Sequence, residues 1–126
     1  MRRETKARRA HRLAVEPIRE AYRAENPMCE MYGCKNRAAH LHEITAGTRR
    51  EHAIGEPALI LALCAGCHTR AQAMRHAAQL WLKRESGSGY DLDVYRRVMN
   101  GSNPRQARVI EEEDIDAAGA DFEVGS

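Results

Sequence analysis

Apolar residues recur at helical spacing in three stretches of the chain. A first helix is predicted to begin at Pro17, a residue favoured in the first turn, and to end before the Asn26-Pro27 pair. A second helix is predicted over about residues 65–84, and a third from Asp91, whose carboxylate suits an N-cap. The inner faces would carry Ile18, Ala21 and Tyr22, then Met74, Ala77, Ala78 and Trp81, then Leu92, Tyr95, Val98 and Met99.

Two shorter apolar stretches have the lengths of strands. Residues 38–44 are predicted to form a strand that ends before Gly47. Residues 58–63 form an apolar run that is too short for a lone helix, and it predicts either a strand or a helical approach to Cys64. Together these patterns predict an α+β fold, mostly helical, with one small β-hairpin.

The charges are distributed unevenly along the chain. All 20 Lys and Arg residues lie before residue 111, together with 11 of the 18 Asp and Glu residues, which gives residues 1–110 a net charge of +9 and residues 111–126 one of −7. A strongly basic body indicates a polyanionic partner. We predict a basic N-terminal arm and helix at residues 1–26, a central domain at residues 27–100 and an acidic, disordered tail at residues 101–126.

The composition predicts a small core that needs additional support. Aromatic residues make up 5% of the chain, and many of the apolar residues are alanine. Domains with thin cores are commonly stabilised by disulfides or by a metal ion. The charged N-terminus is not followed by the apolar segment of a signal peptide, and the sequence contains no apolar run long enough to span a membrane. We therefore expect a cytoplasmic protein with no membrane segment, in which thiols stay reduced.

Four cysteines form two pairs, Cys29 with Cys34 and Cys64 with Cys67. The close spacing of the second pair lets both sulfurs reach one ion, and the looser spacing of the first is compatible with a metal-binding turn. Disulfides or buried free thiols are the alternatives, and the expected reducing compartment favours metal. We predict a structural Zn²⁺ ion held by all four thiolates.

Further motifs accompany the cysteines in a fixed order. They are His42-Glu43-Ile44-Thr45-Ala46-Gly47-Thr48-Arg49, then Leu63-Cys64-Ala65-Gly66-Cys67-His68, then Tyr90-Asp91-Leu92. With these motifs, the chain resembles the HNH endonuclease family over about residues 28–98, and more narrowly its small phage-encoded members with a His-Glu-Ile motif. The resemblance implies a zinc-stapled β-β-α-metal core with flanking helices.

The resemblance also implies the residues of an active site. In the family, a divalent ion is held by the first of two adjacent polar residues at a strand end and by a residue of the following helix, positions that His42 and His68 occupy here. The second polar residue acts as general base on water, and that position is Glu43. Gln72 stands where a third ligand is found. The implied activity is hydrolysis of DNA phosphodiester bonds with catalytic Mg²⁺, Mn²⁺, Ni²⁺ or Zn²⁺.

Basic residues around such a site would contact the phosphate backbone of DNA. Arg49, Arg50 and Arg70 are the candidates, because a guanidinium group suits phosphate oxygens, and solvated surface charge is the alternative. His40 lies two residues before His42, hence on the same strand face. Its possible roles are an additional general base, a hydrogen-bond partner of the zinc ligands or a residue that faces DNA. We interpret the remaining histidines as surface residues: His11, His52 and His76.

Two departures from the family pattern keep other functions open. Glu43 stands where the family has a histidine, and Leu59 stands near the place of its central asparagine. These departures favour a catalytically silent zinc module that binds DNA or a phage protein. A third alternative is a zinc-stabilised adaptor that binds protein through the Ala/Leu helix. The resemblance further implies a phage or prophage protein in a bacterial host, beside packaging or recombination proteins, and the acidic tail is predicted to fold over the basic surface and weaken stray DNA binding.

Overall fold

The computed structural model describes residues 4–45, 50–100 and 110–123. These residues form a mostly helical α+β fold with a two-stranded antiparallel sheet, as predicted. The helices are α1 (Lys6–Glu25), α2 (Arg50–Ala53), α3 (Ala65–Gln72), α4 (His76–Ser86), α5 (Leu92–Asn100) and α6 (Glu112–Glu123), and the strands are β1 (His40–Glu43) and β2 (Ile60–Leu63).

Helix α1 begins well before Pro17, where the sequence pattern placed its start. The Thr5 side chain caps it by accepting the backbone N–H of Arg8 at 3.1 Å. Pro17 therefore lies inside the helix, where it removes one backbone hydrogen bond. The described residues before Val15 are exposed, whereas Val15 and Tyr22 are buried against the body. The prediction of a helix start at Pro17 is wrong because the cap further upstream outweighs the local preference of proline.

The two strands pair in a register that separates the polar residues of β1. His40 lies opposite Leu63, so His40 and His42 face one side of the sheet, and Leu41 and Glu43 face the other. On the latter side, Leu41 packs with Tyr22 of α1 and with β2, which is buried along its whole length. In the apolar run at residues 58–63, a 3-10 turn leads into β2, so the strand alternative is confirmed.

The helix predicted over residues 65–84 is divided in two. Helix α3 ends at Gln72, and α4 begins at His76 after the extended residue Arg75 (φ −61°, ψ 149°). The prediction of one continuous helix is wrong because the apolar spacing continues across the break and does not reveal it. The main core lies between β2 and helices α3 to α6, and its fully buried side chains include Leu59, Leu61, Leu63, Leu80, Leu82 and Ile115.

Residues 112–123 form α6, which packs along α4, so the predicted disorder is wrong for this stretch. Ile115 and Ala118 of α6 are fully buried. A narrow apolar stripe on an otherwise acidic helix is enough to dock it, although the average composition is that of a disordered segment. The rest of the predicted tail, residues 101–109 and 124–126, lies outside the described residues.

Candidate metal centre and histidine cleft

The four cysteines converge on one point. The Sγ atoms of Cys29, Cys34, Cys64 and Cys67 all lie within 4.8 Å of one another. Those of Cys34 and Cys64 are 4.0 Å apart. Zn–S bonds of about 2.3 Å in a tetrahedron place sulfurs about 3.8 Å apart, whereas a disulfide requires about 2.0 Å. All four cysteines are free, and their geometry confirms a group that can hold a structural metal ion such as zinc.

Local backbone structure shapes both ends of this metal centre. In the turn between the first two cysteines, the N–H of Cys34 donates to the carbonyl of Met31 at 3.0 Å, and Gly33 adopts a positive φ of 78° that few other residues tolerate. The second pair lies at the start of α3, where Cys64 is the N-cap and Cys67 lies in the first turn. The centre therefore ties the turn to the junction of β2 and α3.

The thiols differ in their tendency to ionise. Burial raises the pKa of Cys29 and raises the pKa of Cys67 to about 12. The backbone N–H of Cys67 donates to the sulfur of Cys64 and lowers the pKa of Cys64 to about 6. Of the three thiols with a shifted pKa, Cys64 therefore ionises most readily, and a bound cation would stabilise the charged form of the buried Cys29 and Cys67.

Three histidines cluster beside the metal centre. The ring centroid of His68 lies 5.0 Å from that of His40 and 5.3 Å from that of His42. His68 follows the last cysteine directly, and its N–H donates to the carbonyl of Cys64 at 2.9 Å. His42 is buried, His68 is half-buried and His40 is exposed. The hairpin and α3 thus bring together two histidines, His42 and His68, that are distant in sequence.

The histidines open into a polar cleft of about 540 Å³, which we call the histidine cleft. One wall is formed by α1, another by β1 and a third by α3. The charged and histidine side chains that line it are Arg19, Arg23, His40, His42, Glu43 and His68. The cleft therefore combines imidazoles, a carboxylate and two guanidinium groups around one space.

Glu43 is held at the wall of the cleft by an arginine. Nη1 of Arg19 donates to Oε1 of Glu43 at 3.0 Å and to the carbonyl of Ile54 at 3.3 Å. The side chains of Glu43 and Arg19 are 9% and 15% exposed. Because the pair is largely shielded from water, its attraction is stronger than that of an ordinary surface ion pair. The carboxylate is consequently fixed in position.

The imidazole of His42 forms a hydrogen bond with a glutamine of α4. Nε2 of His42 lies 2.6 Å from Oε1 of Gln79. The amide nitrogen of Gln79 in turn donates to the carbonyl of Met74 at 2.9 Å. Both His42 and Gln79 are buried, so this chain of hydrogen bonds is protected from competing water.

Burial also affects the protonation of two histidines. It lowers the pKa of His68, and the neighbouring His42 and His40 lower this pKa further because like charges oppose protonation. Burial likewise lowers the pKa of His76, whose Nδ1 lies 2.6 Å from the hydroxyl of Tyr95. His76 is half-buried, so its interpretation as a surface residue is wrong. Neutral imidazole is the form that binds metal ions, which suits His68 to that role.

The predicted catalytic residues His42, Glu43 and His68 all line the cleft, together with Gln72. Among the described residues, the cysteine group is the one set of three or more His, Cys, Asp and Glu whose ligand atoms lie within 4.8 Å of one another. A second ion at His42 and His68 therefore stays a prediction. Gln79 was missed from the sequence because its position inside a predicted helix carries no signal of a polar partner.

The basic residues near the cleft differ from those predicted. Arg70 is exposed on α3. Arg49 and the side chain of Arg50 lie outside the described part of the chain, so their predicted DNA contacts stay predictions. Arg19 and Arg23 of α1 line the cleft and were missed, although their spacing of four residues on a predicted helix was an available signal.

No protein-family model, curated protein or solved structure matches this chain. Within the described residues, none of the helices has the length and apolar character needed to cross a membrane. The function is therefore inferred from the geometry of the metal centre and the histidine cleft.

Proposed function

We propose that this protein is a metal-dependent endonuclease of the HNH type that hydrolyses phosphodiester bonds in DNA. The observation that carries the proposal is the approach of His42 and His68, whose ring centroids lie 5.3 Å apart. The two residues come from a strand of an antiparallel hairpin and from the helix that follows the hairpin directly, a β-β-α order. This arrangement supports the resemblance that the sequence motifs indicate.

His42 and His68 would hold a divalent ion at the cleft, either Mg²⁺, Mn²⁺, Ni²⁺ or Zn²⁺. Such an ion polarises a phosphate and stabilises charge on the leaving oxygen. The lowered pKa of His68 favours the neutral imidazole, which is the form that coordinates metal. Gln72 lines the same cleft and offers a further oxygen ligand. The cysteine centre, with zinc, would keep α3 and the hairpin in the arrangement that His42 and His68 require.

Glu43 is the residue we assign as general base. As the oxygen of water bonds to phosphorus and the bond to the leaving sugar oxygen breaks, the proton of the water passes to this carboxylate. The contact with Arg19 orients Glu43. His40 is the alternative proton acceptor, because it is exposed and stacks on His68 at the same cleft.

One face of α1 leads along the outside of the protein into the cleft, and we call it the arginine face. At about 100° per residue, its members fall within about 60° of one another around the helix. They span about 22 Å, the length of about six nucleotides of one DNA strand. They are Arg8, Arg12, Arg19 and Arg23. Arg12 pairs with carboxylates that are largely exposed, and such pairs are weak enough for a phosphate to replace them.

The structure also contains an observation that favours a catalytically silent, DNA-binding zinc module. Glu43 is largely buried in its ion pair with Arg19, and Leu59, near the place of the family asparagine, is completely buried. In this second function, the arginine face and the cleft would bind the DNA backbone without cutting it.

Cleavage of supercoiled plasmid by the zinc-loaded protein separates the two functions. We expect nicking that depends on Mg²⁺, Mn²⁺ or Ni²⁺. Nicking should fall at least about 100-fold in His42→Ala and in His68→Ala, the order of magnitude that positioned catalytic groups contribute. His11→Ala is the matched control, because His11 is exposed on α1 and outside the cleft.

Equal nicking by His42→Ala, His68→Ala and wild type would contradict the nuclease assignment. Salt-sensitive DNA binding without any nicking would select the silent module. Absence of both nicking and DNA binding would contradict both functions and favour a protein-binding adaptor.

A further inference from the structure

The orientation of the Gln79 carboxamide is decided by its two partners. One end faces the backbone carbonyl of Met74 at 2.9 Å, and a carbonyl oxygen accepts hydrogen bonds but cannot donate them. The amide nitrogen must therefore face Met74, and the amide oxygen must face Nε2 of His42 at 2.6 Å. An amide oxygen is likewise only an acceptor, so Nε2 of His42 has to carry the proton in this bond.

We infer that Gln79 is a positioning residue that orients the His42 imidazole and, in its uncharged form, keeps the proton on Nε2. Nδ1 is then the nitrogen of His42 that keeps a lone pair. The hydrogen-bond assignment stands on geometry alone. Its consequence, that an ion in the cleft is bound through Nδ1 of His42, rests on the proposed function.

The break between α3 and α4 supplies the acceptor on which this arrangement depends. In a continuous helix, the carbonyl of Met74 would accept the N–H of Ala78. In this structure, the N–H of Ala78 donates instead to the carbonyl of Arg75 at 3.1 Å. The carbonyl of Met74 is thereby available to Gln79, which lies in the first half of α4. The helix break thus has a consequence at the cleft, since it fixes which end of the amide faces His42.

Because Gln79 and His42 are buried, one orientation of the amide and of the imidazole is favoured over the others. Gln79 is 4% exposed and His42 is 7% exposed, so water cannot easily replace either partner. Turning the amide over would place oxygen against the Met74 carbonyl and cost this buried group its hydrogen bond. Turning the imidazole by 180° about its Cβ–Cγ bond would put Cε1 where Nε2 lies, so Gln79 would lose its hydrogen bond to the ring. One tautomer in one orientation is therefore favoured, as is common for histidines whose second nitrogen binds a metal.

Long-range ¹H–¹⁵N correlation spectra of the zinc-loaded protein test the tautomer directly. At alkaline pH, we expect His42 to show a single tautomer with the proton on Nε2 and slow exchange of that proton with water. In Gln79→Met, which keeps the length of the side chain without its polar atoms, this protection should be lost. Glu85→Met is the control, because it places a methionine at an exposed position of the same helix, outside the cleft, and should leave the His42 signals in place.

Calorimetric titration with Mn²⁺ supplies the second readout. Loss of a residue that orients a metal ligand commonly weakens metal affinity by about 10–100-fold, and we expect a decrease of this size in Gln79→Met. A wild-type spectrum with the proton on Nδ1 of His42, or full protection of Nε2–H in Gln79→Met, would overturn the inference. If wild type shows the protected Nε2–H but binds no Mn²⁺, the positioning role of Gln79 is supported and the ion site of the proposed function is the part that fails.

Discussion

Gly119 of α6 faces Nε1 of Trp81 so closely that an added Cβ atom would overlap the indole, so α6 meets α4 at a position that has no room for a side chain. The indole of Trp81 also stacks on Phe122, with 4.7 Å between ring centroids, and meets Tyr32 edge-on at 5.4 Å. The acidic end of the chain is consequently part of the folded body through α6.

Replacing Gly119 with alanine should therefore destabilise the protein. In an exposed helix this change would stabilise by about 1 kcal/mol, but overpacking against a rigid ring costs about 1–3 kcal/mol and should dominate. The free energy of unfolding from chemical denaturation measures the effect. Ala120→Gly on the exposed side of α6 is the control, with an expected loss of about 1 kcal/mol from helix propensity alone. Stabilisation by Gly119→Ala would contradict the close packing.

The buried side chain of Lys83 should make stability depend on pH in the alkaline range. Its Nζ donates to the hydroxyl of Tyr22 at 2.8 Å and to the carbonyls of Ile60 and Ser88 at 2.7 and 2.8 Å. Burial lowers the pKa of Lys83 from 10.5 to about 8. Between these two values the unfolded chain binds more protons than the folded one, so stability should rise by about 2 kcal/mol between about pH 8 and pH 10.

Comparison with Lys83→Met isolates this effect from other titrating groups. Burial raises the pKa of Tyr22, so above about pH 10 the folded state keeps a proton that the unfolded state loses, and stability should fall again. Denaturation of the zinc-loaded proteins across this range should show that the free energy of unfolding rises less below pH 10 in Lys83→Met than in wild type. Identical pH profiles for the two proteins would show that the buried ammonium does not titrate as expected.

Removal of the metal should abolish most of the stability. Structural zinc contributes about 10–16 kcal/mol of apparent binding energy in small zinc domains, which exceeds the total stability of about 5–15 kcal/mol of many proteins. We expect a strong chelator to remove the cooperative thermal transition followed by circular dichroism. Zn²⁺ should restore it and Mg²⁺ should not, because thiolates are poor ligands for Mg²⁺. Cys64→Ser should resemble the chelated protein, and an unchanged melting curve after chelation would contradict a structural role of the ion.

Neutralising acidic residues of α6 should strengthen DNA binding. Asp116 pairs with Arg84 at 2.7 Å and Asp121 pairs with Arg75 at 3.1 Å. In Asp116→Asn/Asp121→Asn, Arg75 loses its ion-pair partner and Arg84 keeps only the longer contact with Glu112 at 3.3 Å. Both arginines become more available to phosphates, and the salt dependence of binding should steepen by up to about 1.8 in log–log slope. These substitutions keep the buried stripe of α6, which deletion of the helix would remove.

The control for this experiment is Glu85→Gln/Glu113→Gln, which removes the same amount of charge. Neither glutamate pairs with an arginine in the part of the chain that the structure describes. Fluorescence anisotropy with a DNA duplex at several salt concentrations should show that this control binds DNA with an affinity close to that of wild type. An equal increase of DNA affinity in both double variants would indicate an effect of net charge alone. No increase in either variant would contradict a role of α6 in covering basic residues.

The sequence predicts those parts of the site that depend on local spacing. The two cysteine pairs are each close in sequence, so the metal centre could be predicted from their spacing together with the expected reducing compartment. His40 and His42 follow from alternation along β1, and His68 follows from its place after Cys67. His42 and His68 then come close together because the metal centre fixes the start of α3 beside the hairpin.

The remaining parts depend on contacts between residues that are distant in sequence. Periodicity does not reveal the break after Gln72, because the apolar stripe continues across it. Arg19 and Gln79 lie in helices whose docking on the hairpin decides that they face Glu43 and His42. The composition of the acidic end indicates disorder, and the docking of α6 depends on the small Gly119 that faces Trp81.

The most direct test of the account is the position of metal ions in a crystal of the zinc-loaded protein soaked in Mn²⁺, read from anomalous scattering at the two absorption edges. We expect a zinc peak among the four cysteine sulfurs and a manganese peak in contact with both His42 and His68. A single zinc peak, with the imidazoles of His42 and His68 free of metal in a crystal that also contains a DNA oligonucleotide in the cleft, would contradict the proposed nuclease site.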